Sequence, residues 1–342
     1  MTAVGGSAAP TLARPGLRRA VDRSRAMGGQ LGIHVAVADD AGLASAEHDA
    51  RRVAARVRAW AIRLTRHAPT SDLMLANADP RPSVPIGPTL AAALHWAEAA
   101  ADLTGGIVDA TLLRERLAAE VVSPTGVVSP NDAISPTDAH VEAGHARRSV
   151  AGKRPDWHLE NARGRGALLR RDPSVAFDLD GLAKGWLADR ALALLDRHPG
   201  ALVDADGDIA IRSAAGDAWE IGVADPRSRD RQLATFVLPG WTAGTRYGVA
   251  TSGISVHRWP GPDGERHHLI DPRTGRPAAT DVIQATVLAT NARVAEAWAK
   301  TAVVLGLVAA LDVLDRATIL GAILLAADGR VLAVPRTTRW LA

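Results

Sequence analysis

The chain reads as an α+β protein built largely on antiparallel sheet. Short apolar runs closed by Gly, Asp or Pro turns follow one another in pairs, and the strongly helical stretches are few. Strands and helices do not alternate regularly, and no repeat of fixed period runs through the chain, which argues against a doubly wound parallel fold. With 342 residues, 47% of them hydrophobic, there is enough material for one large domain or two modest ones.

The elements follow in order. Residues 1–25, rich in Ala, Gly, Pro and Arg, read as a flexible leader, and residues 26–342 as the folded part. From Gln30 to Ala38 apolar and polar residues alternate, as in a strand. Apolar positions then recur at helical spacing from Ala44 to Leu64. A Pro-rich loop from Asp79 to Pro88 precedes a helix from Thr89 to about Leu103, stopped by Thr104-Gly105-Gly106. The stretch 121–154 reads as a loop-rich excursion. After a further strand and turn, FDLDGLAKGWLADRALALLD reads as a strand running through a Gly turn into a helix. Two strand–turn units follow, ALVDADGDIAIR and WEIGVADPR. Gly248 to Thr251 and His267 to Ile270 read as short strands ended by turns. A helix from Ala292 to Leu305 and a terminal helix, strand and turn complete the chain.

Composition removes several function classes. There are no cysteines, so disulfides, thiolate catalysis and Cys-ligated metal centres are excluded. Net charge is only +3, and no dense Lys/Arg run is interleaved with aromatics, so nucleic acid is not an expected partner. No uninterrupted apolar stretch is long enough to span a membrane. Without an apolar signal region or a lipobox cysteine, the expected address is cytoplasmic. A dehydrogenase lacks its GxGxxG turn and an α/β hydrolase its GxSxG elbow.

Five segments are candidates for chemistry. In Asp178-Leu-Asp-Gly181-Leu-Ala-Lys184-Gly185, glycines at the entry to a helix permit close backbone approach. The helix start favours an anion, and Lys184 adds a positive charge suited to phosphate. A Gly turn with a surface lysine explains the same residues. In His268-Leu-Ile270-Asp271-Pro-Arg-Thr-Gly275, Asp271 is placed to orient His268 as a general base, and equally to form an Asx turn. Val249-Ala-Thr251-Ser252-Gly253 ends a strand in hydroxyl residues that can face a ligand or simply make a turn. Glu296 and Lys300, four apart on one helix, fit a solvated salt bridge; an acid there can also ligate Mg2+. Thr104-Gly105-Gly106-Ile107-Val108-Asp109 turns a helix end back toward an acid, which capping alone explains.

Taken in order, these segments resemble the FAD:protein FMN transferase (ApbE) family from about residue 25 to the C-terminus. The most specific parts are DLDGLAKG, VATSG and HLIDPRTG. The resemblance implies a T-fold-like architecture with a flavin cleft between lobes. It implies FAD as substrate, Mg2+ on the diphosphate, and a target flavoprotein whose Thr or Ser hydroxyl receives FMN as AMP leaves. It carries FAD contacts onto Met27, His67, Ile107, Val108, Asp109, Asp178, Lys184 and Ile270, with Thr251 and Ser252 of VATSG beside them. It carries proton handling onto His268 with Asp271, and metal binding onto Gly181 and Glu296.

The chain also departs from the family pattern. Glu296 stands where Asp is usual, and Lys300 where Thr is usual; the adjacent Thr301 is the expected substitute ligand. His67 replaces an aromatic, and Asp180 and Asp206 each replace a Gly. The same residues serve an FAD hydrolase, in which water replaces the target hydroxyl, or a flavin-binding protein without turnover.

Overall fold

The computed structural model describes residues 11–12, 17–121, 156–161, 166–228, 230–261 and 264–342. The excursion at 121–154 therefore lies outside the described residues, apart from the end of the helix Leu113–Val121. The chain divides into two units, one formed by Met1–Ile62, Asp180–Val256 and Ala279–Ala342, the other by Arg63–Leu179 and His257–Ala278.

The first unit is organised by an eight-stranded sheet. Its order is Val331–Ala333, Gly321–Ala326, Val282–Ala289, Thr245–Gly253, Asp208–Ser213, Gly200–Ala205, Gly29–Val37 and Arg18–Ala26. Every neighbouring pair is antiparallel, as the paired strand–turn signals predict. Successive side chains of one strand face opposite ways, and here both faces are covered. Ala201 and Val203 point to the face packed by the helices Leu43–Leu64 and Ala183–Ala193, through Val53, Val57, Ala188 and Leu192. Leu202, Ile209 and Ile211 point to the other, filled by Trp219, Phe236 and Trp340. Burying each of these large side chains contributes about 1.5–3 kcal/mol. That double cover is why Gly200–Ala205 and Asp208–Ser213 are almost wholly buried rather than alternating.

Two glycines set how closely the helix Ala292–Leu305 lies against this framework. A Cβ at Gly185 would sit 2.7 Å from the Ala292 carbonyl oxygen, and one at Gly248 would overlap the Asn291–Ala292 backbone. Gly185 is thus required by helix–helix packing. Asp189 completes the junction by accepting from the Ala292 and Arg293 amides at 2.9 and 3.1 Å, while Asn291 caps the helix through Val294 N at 3.0 Å.

Three expectations are corrected. The expectation of a flexible stretch up to residue 25 does not hold among the described residues, because Arg18–Ala26 is an edge strand paired along its whole length with Gly29–Val37, and Thr11–Leu12 pairs with Trp219–Glu220. The edge strand's exposed positions are Arg18, Val21, Arg23 and Arg25, mostly charged residues that suit an edge, and Asp22 and Ser24 on the face of buried Ala20 and Ala26 hide its alternation. The Pro-rich loop contains a short strand, Ser83–Ile86, paired with Ala167–Arg171. Residues 176–179 are irregular rather than a strand, although Phe177 and Leu179 are fully buried.

The second unit carries the helices Asp72–Ala78, Pro88–Leu103 and Leu113–Val121 and a sheet ordered Ser83–Ile86, Ala167–Arg171, Trp157–Asn161. Buried Arg171 donates to the carbonyls of Ala76, Asp79 and Pro173 at 2.8, 2.7 and 3.0 Å, tying that sheet to the helix end. Two small hairpins, Arg258–Gly261 with Gly264–His267 and Ile270–Asp271 with Arg276–Pro277, complete it.

Candidate functional site

In the first unit the site begins with two tight turns. Asp206 and Gly207, both at positive φ (59° and 94°), close the hairpin between Gly200–Ala205 and Asp208–Ser213. Asp-Gly is the preferred pair for such a turn because both positions need left-handed backbone. Asp204 Oδ1 fixes it by accepting from Gly207 N at 2.8 Å. Met27 and Gly28, at φ 55° and 78°, close the neighbouring hairpin in the same way, and Met27 packs on the core. Asp206 lies over the backbone of Gly29, where a Cβ would run into its carboxylate, and accepts from Gln30 N at 3.2 Å. Its other oxygen accepts from Lys184 Nζ at 2.9 Å. Asp206 thus supplies a counter-ion for Lys184.

Behind this ion pair, Asp208 and Glu296 are buried and hydrogen-bonded to one another. Burial raises both, and the neighbouring Glu296 raises Asp208 further, so Asp208 is pushed well above the usual carboxylate range. Glu296 is pushed by burial up to about 7, opposed by the charges of Lys300 and Lys184 and by the Gly185 amide. The hydrogen bond between the two raises Asp208 and lowers Glu296. Burial alone pulls Lys184 down; Asp206, Asp208 and Glu296 reverse this and raise it, so it stays charged. Glu296 Oε2 accepts from Gly185 N at 3.0 Å. The anion at the start of the helix Ala183–Ala193 is therefore Glu296 itself, and the solvated salt-bridge reading of Glu296 and Lys300 is corrected.

Lys300 lies one turn beyond Glu296, and its Nζ rests on the Cα of Gly181, where any Cβ would overlap it. Thr301 is five positions from Glu296, about 140° around the helix, and so faces elsewhere. Its buried hydroxyl donates to Ala297 O at 2.8 Å. The structure thus brings Gly181 and Glu296 together with Lys300, and not with Thr301. Mg2+ requires near-octahedral oxygen ligation. Among the described residues, no group of three or more His, Asp or Glu side chains is placed to hold a metal. With an ammonium seated against Gly181, this donor set does not fit the divalent ion that the resemblance implies.

Thr251 and Ser252 lie at the end of the strand Thr245–Gly253, where Thr251 Oγ1 shares a hydrogen bond of 2.9 Å with Thr286 Oγ1 across the sheet. A cavity of about 270 Å³ in this unit, lined by Trp186, Arg246 and Arg293 among others, includes none of these residues.

The second unit gathers most of the remaining candidates. Val108 N donates to Thr104 Oγ1 at 3.1 Å, fixing the Ile107–Asp109 turn after the Gly105-Gly106 stop. Asp109 Oδ1 accepts from the amide and hydroxyl of Thr111 at 2.8 and 2.7 Å, and Asp178 N donates to Ala110 O at 2.7 Å. Ile270 packs with Leu112, Ala119 and Trp259. Arg116 donates to the His268 carbonyl at 3.3 Å, and the His268 ring stands edge-on to His257 at 5.3 Å. Both Asp271 oxygens accept from the Arg273 guanidinium, at 2.9–3.1 Å to Nε and 2.7 Å to the terminal nitrogen. Asp271 also accepts from Arg273 N at 2.9 Å, so its carboxylate is committed to its own turn. His67 is exposed, its amide donating to Thr65 Oγ1 at 3.2 Å. Sequence reasoning missed Asp208 and the counter-ion role of Asp206. The Asp206-Gly207 hairpin turn was the available signal for the latter.

These positions lie within a family match that runs from residue 27 to residue 324. The chain belongs to the ApbE family. A curated FAD:protein FMN transferase of Treponema pallidum (strain Nichols) is 37% identical over 145 residues, covering 39% of this chain and 38% of that protein. The FAD:protein FMN transferase of Salmonella typhimurium is 31% identical over 156 residues, covering 44% and 43%. The chain thus matches about two fifths of the length of these relatives. Among solved structures, the ApbE protein of Thermotoga maritima superposes with a TM-score of 0.70 at 21% identity, over 95% of this chain and all of that one. Flavin transferase ApbE from Vibrio cholerae gives 0.66 at 22%, over the same shares. At these identities the likeness establishes the ApbE fold, mixed helix and antiparallel sheet as the sequence predicts. No helix among the described residues is long and apolar enough to cross a membrane.

Proposed function

We propose that this ApbE chain transfers FMN from FAD to a Thr or Ser hydroxyl of a target flavoprotein. The hydroxyl oxygen bonds to the FMN phosphorus, the P–O bond to the AMP phosphate breaks, AMP leaves, and the hydroxyl proton passes to a base. The family match and the names of the curated relatives support this reading. The structural observation that carries it is the convergence of Lys184 and Lys300 on the buried Asp208–Glu296 pair at a glycine-bordered helix start. Two ammonium groups beside such a turn suit a diphosphate, whose charge grows on the leaving phosphate as the bond breaks.

Lys184 is held in place by Asp206 and exchanges part of that interaction for a phosphate oxygen. His268 is the group we assign to the hydroxyl proton, and Asp271 with Arg273 sets the turn that presents it. Met27, the Ile107–Asp109 turn, Asp178 and Ile270 are assigned to holding FAD. No step is routed through Mg2+, because the residues at its expected position do not fit it.

The test is to incubate the purified protein with FAD and a target flavoprotein, then weigh the target by mass spectrometry. A mass increase of FMN less water, with AMP released in equal amount, is the expected result. AMP released without target modification would replace this reading with FAD hydrolysis, and bound FAD without turnover would leave a flavin-binding protein.

A further inference from the structure

We infer that the Lys300 ammonium stands in this chain where the family resemblance places Mg2+, so that FAD is bound without a divalent cation. The inference rests on the FAD-binding reading above and concerns how the diphosphate charge is met.

Three placements carry it. Lys300 follows Glu296 by four residues and shares its helix face. Its Nζ rests against Gly181 and its charge acts on Glu296, so the two residues to which the resemblance assigns a metal ion share an ammonium group. Glu296 is already engaged on two sides, accepting from the Gly185 amide at 3.0 Å and hydrogen-bonded to Asp208. The neighbouring oxygen that could rebuild a metal shell, Thr301 Oγ1, is turned away and donates to Ala297 O at 2.8 Å. An ion placed beside Lys300 would meet a like charge, at a partly buried position next to buried Glu296 where such repulsion is less screened than in open solvent.

The ammonium can do electrostatically what the ion would do. An ammonium donates N–H bonds to phosphate oxygens and carries positive charge. Together with Lys184 it sets two positive charges against the diphosphate. The smaller charge per group is offset because neither lysine has to be recruited from solution.

Titration calorimetry of FAD into the full chain, once in EDTA and once in Mg2+, tests this. The wild type is expected to bind FAD in both buffers with dissociation constants within about threefold of one another, a difference well under 1.4 kcal/mol. Lys300→Thr is expected to weaken FAD binding in EDTA on the order of tenfold, and to recover affinity on adding Mg2+. Wild-type binding that is lost in EDTA and restored by Mg2+ would overturn the inference while leaving the transferase reading intact. Equal FAD affinity of Lys300→Thr and wild type in EDTA would overturn it too. Absence of FAD binding in both buffers would instead remove the transferase reading. If Lys300→Thr does not fold, the wild-type comparison decides alone.

Discussion

Asp208 and Glu296 face one another as a hydrogen-bonded pair of buried carboxyl groups, brought together from a strand and a helix far apart in the chain. With Glu296 held up to about 7 against an ordinary value of 4.5, its proton binds more tightly to the folded than to the unfolded chain. The stabilisation from that proton is complete below pH 4.5 and is lost as the pH rises through about 7. Glu296→Gln keeps the shape and has no proton to lose. Urea unfolding between pH 5 and 8 should show wild-type stability falling relative to the variant by up to about 3 kcal/mol. Parallel pH profiles would remove the buried-pair account.

Alanine normally stabilises a helix interior relative to glycine by about 0.5–1 kcal/mol. At residue 185 the sign should reverse, because the new Cβ meets the Ala292 carbonyl and the Arg293 Cα below 3.0 Å. We expect Gly185→Ala to destabilise by about 1–3 kcal/mol, read as a fall in melting temperature. An unchanged or raised melting temperature would show that the two helices are not packed at this distance.

Asp206 both steadies Lys184 and competes with a diphosphate for it. Asn tolerates the left-handed backbone at this position, so Asp206→Asn should keep the turn and release the lysine. A partly exposed ion pair is worth about 1 kcal/mol at most, so FAD should bind up to roughly fivefold more tightly by calorimetry. Weaker binding would mean that Asp206 positions Lys184 more than it restrains it.

His268 and Asp271 should separate by phenotype. His268→Asn is expected to lower the rate of FMN transfer by about 10²–10⁴-fold with FAD affinity kept, the range for losing a proton-transfer group. Asp271→Asn breaks the Arg273 pair and its turn, so it should lower melting temperature and raise the FAD dissociation constant. If both variants lose only rate, Asp271 acts on the imidazole after all.

How far the sequence alone reached depended on whether a signal was local. The helices Leu43–Leu64 and Ala292–Leu305 were legible because their apolar spacing is written within a few turns. The Gly200–Ala205 and Asp208–Ser213 hairpin was legible through its Asp-Gly turn. Arg18–Ala26 was not, since its polar side faces outward at an edge and resembles an unstructured arginine-rich stretch. Lys184, Gly181 and Glu296 were legible as a motif. Their charge states were not, because burial of Glu296 against Asp208 arises only when the sheet and helix meet. Lys300 had the spacing of a surface partner, and only the absence of a side chain at residue 181 gives its ammonium a seat.

The bond from Gly185 N to Glu296 Oε2 turns one backbone amide into a reporter. Its acceptor changes from carboxylate to carboxylic acid as the pH falls through about 7. The protection of that amide against hydrogen–deuterium exchange, taken relative to the intrinsic rate at each pH, should therefore fall on acidification while that of its neighbours deeper in the helix holds. A flavin phosphate arriving beside Lys184 or Lys300 would register in the same place, as a change in exchange rate that needs neither a target protein nor turnover.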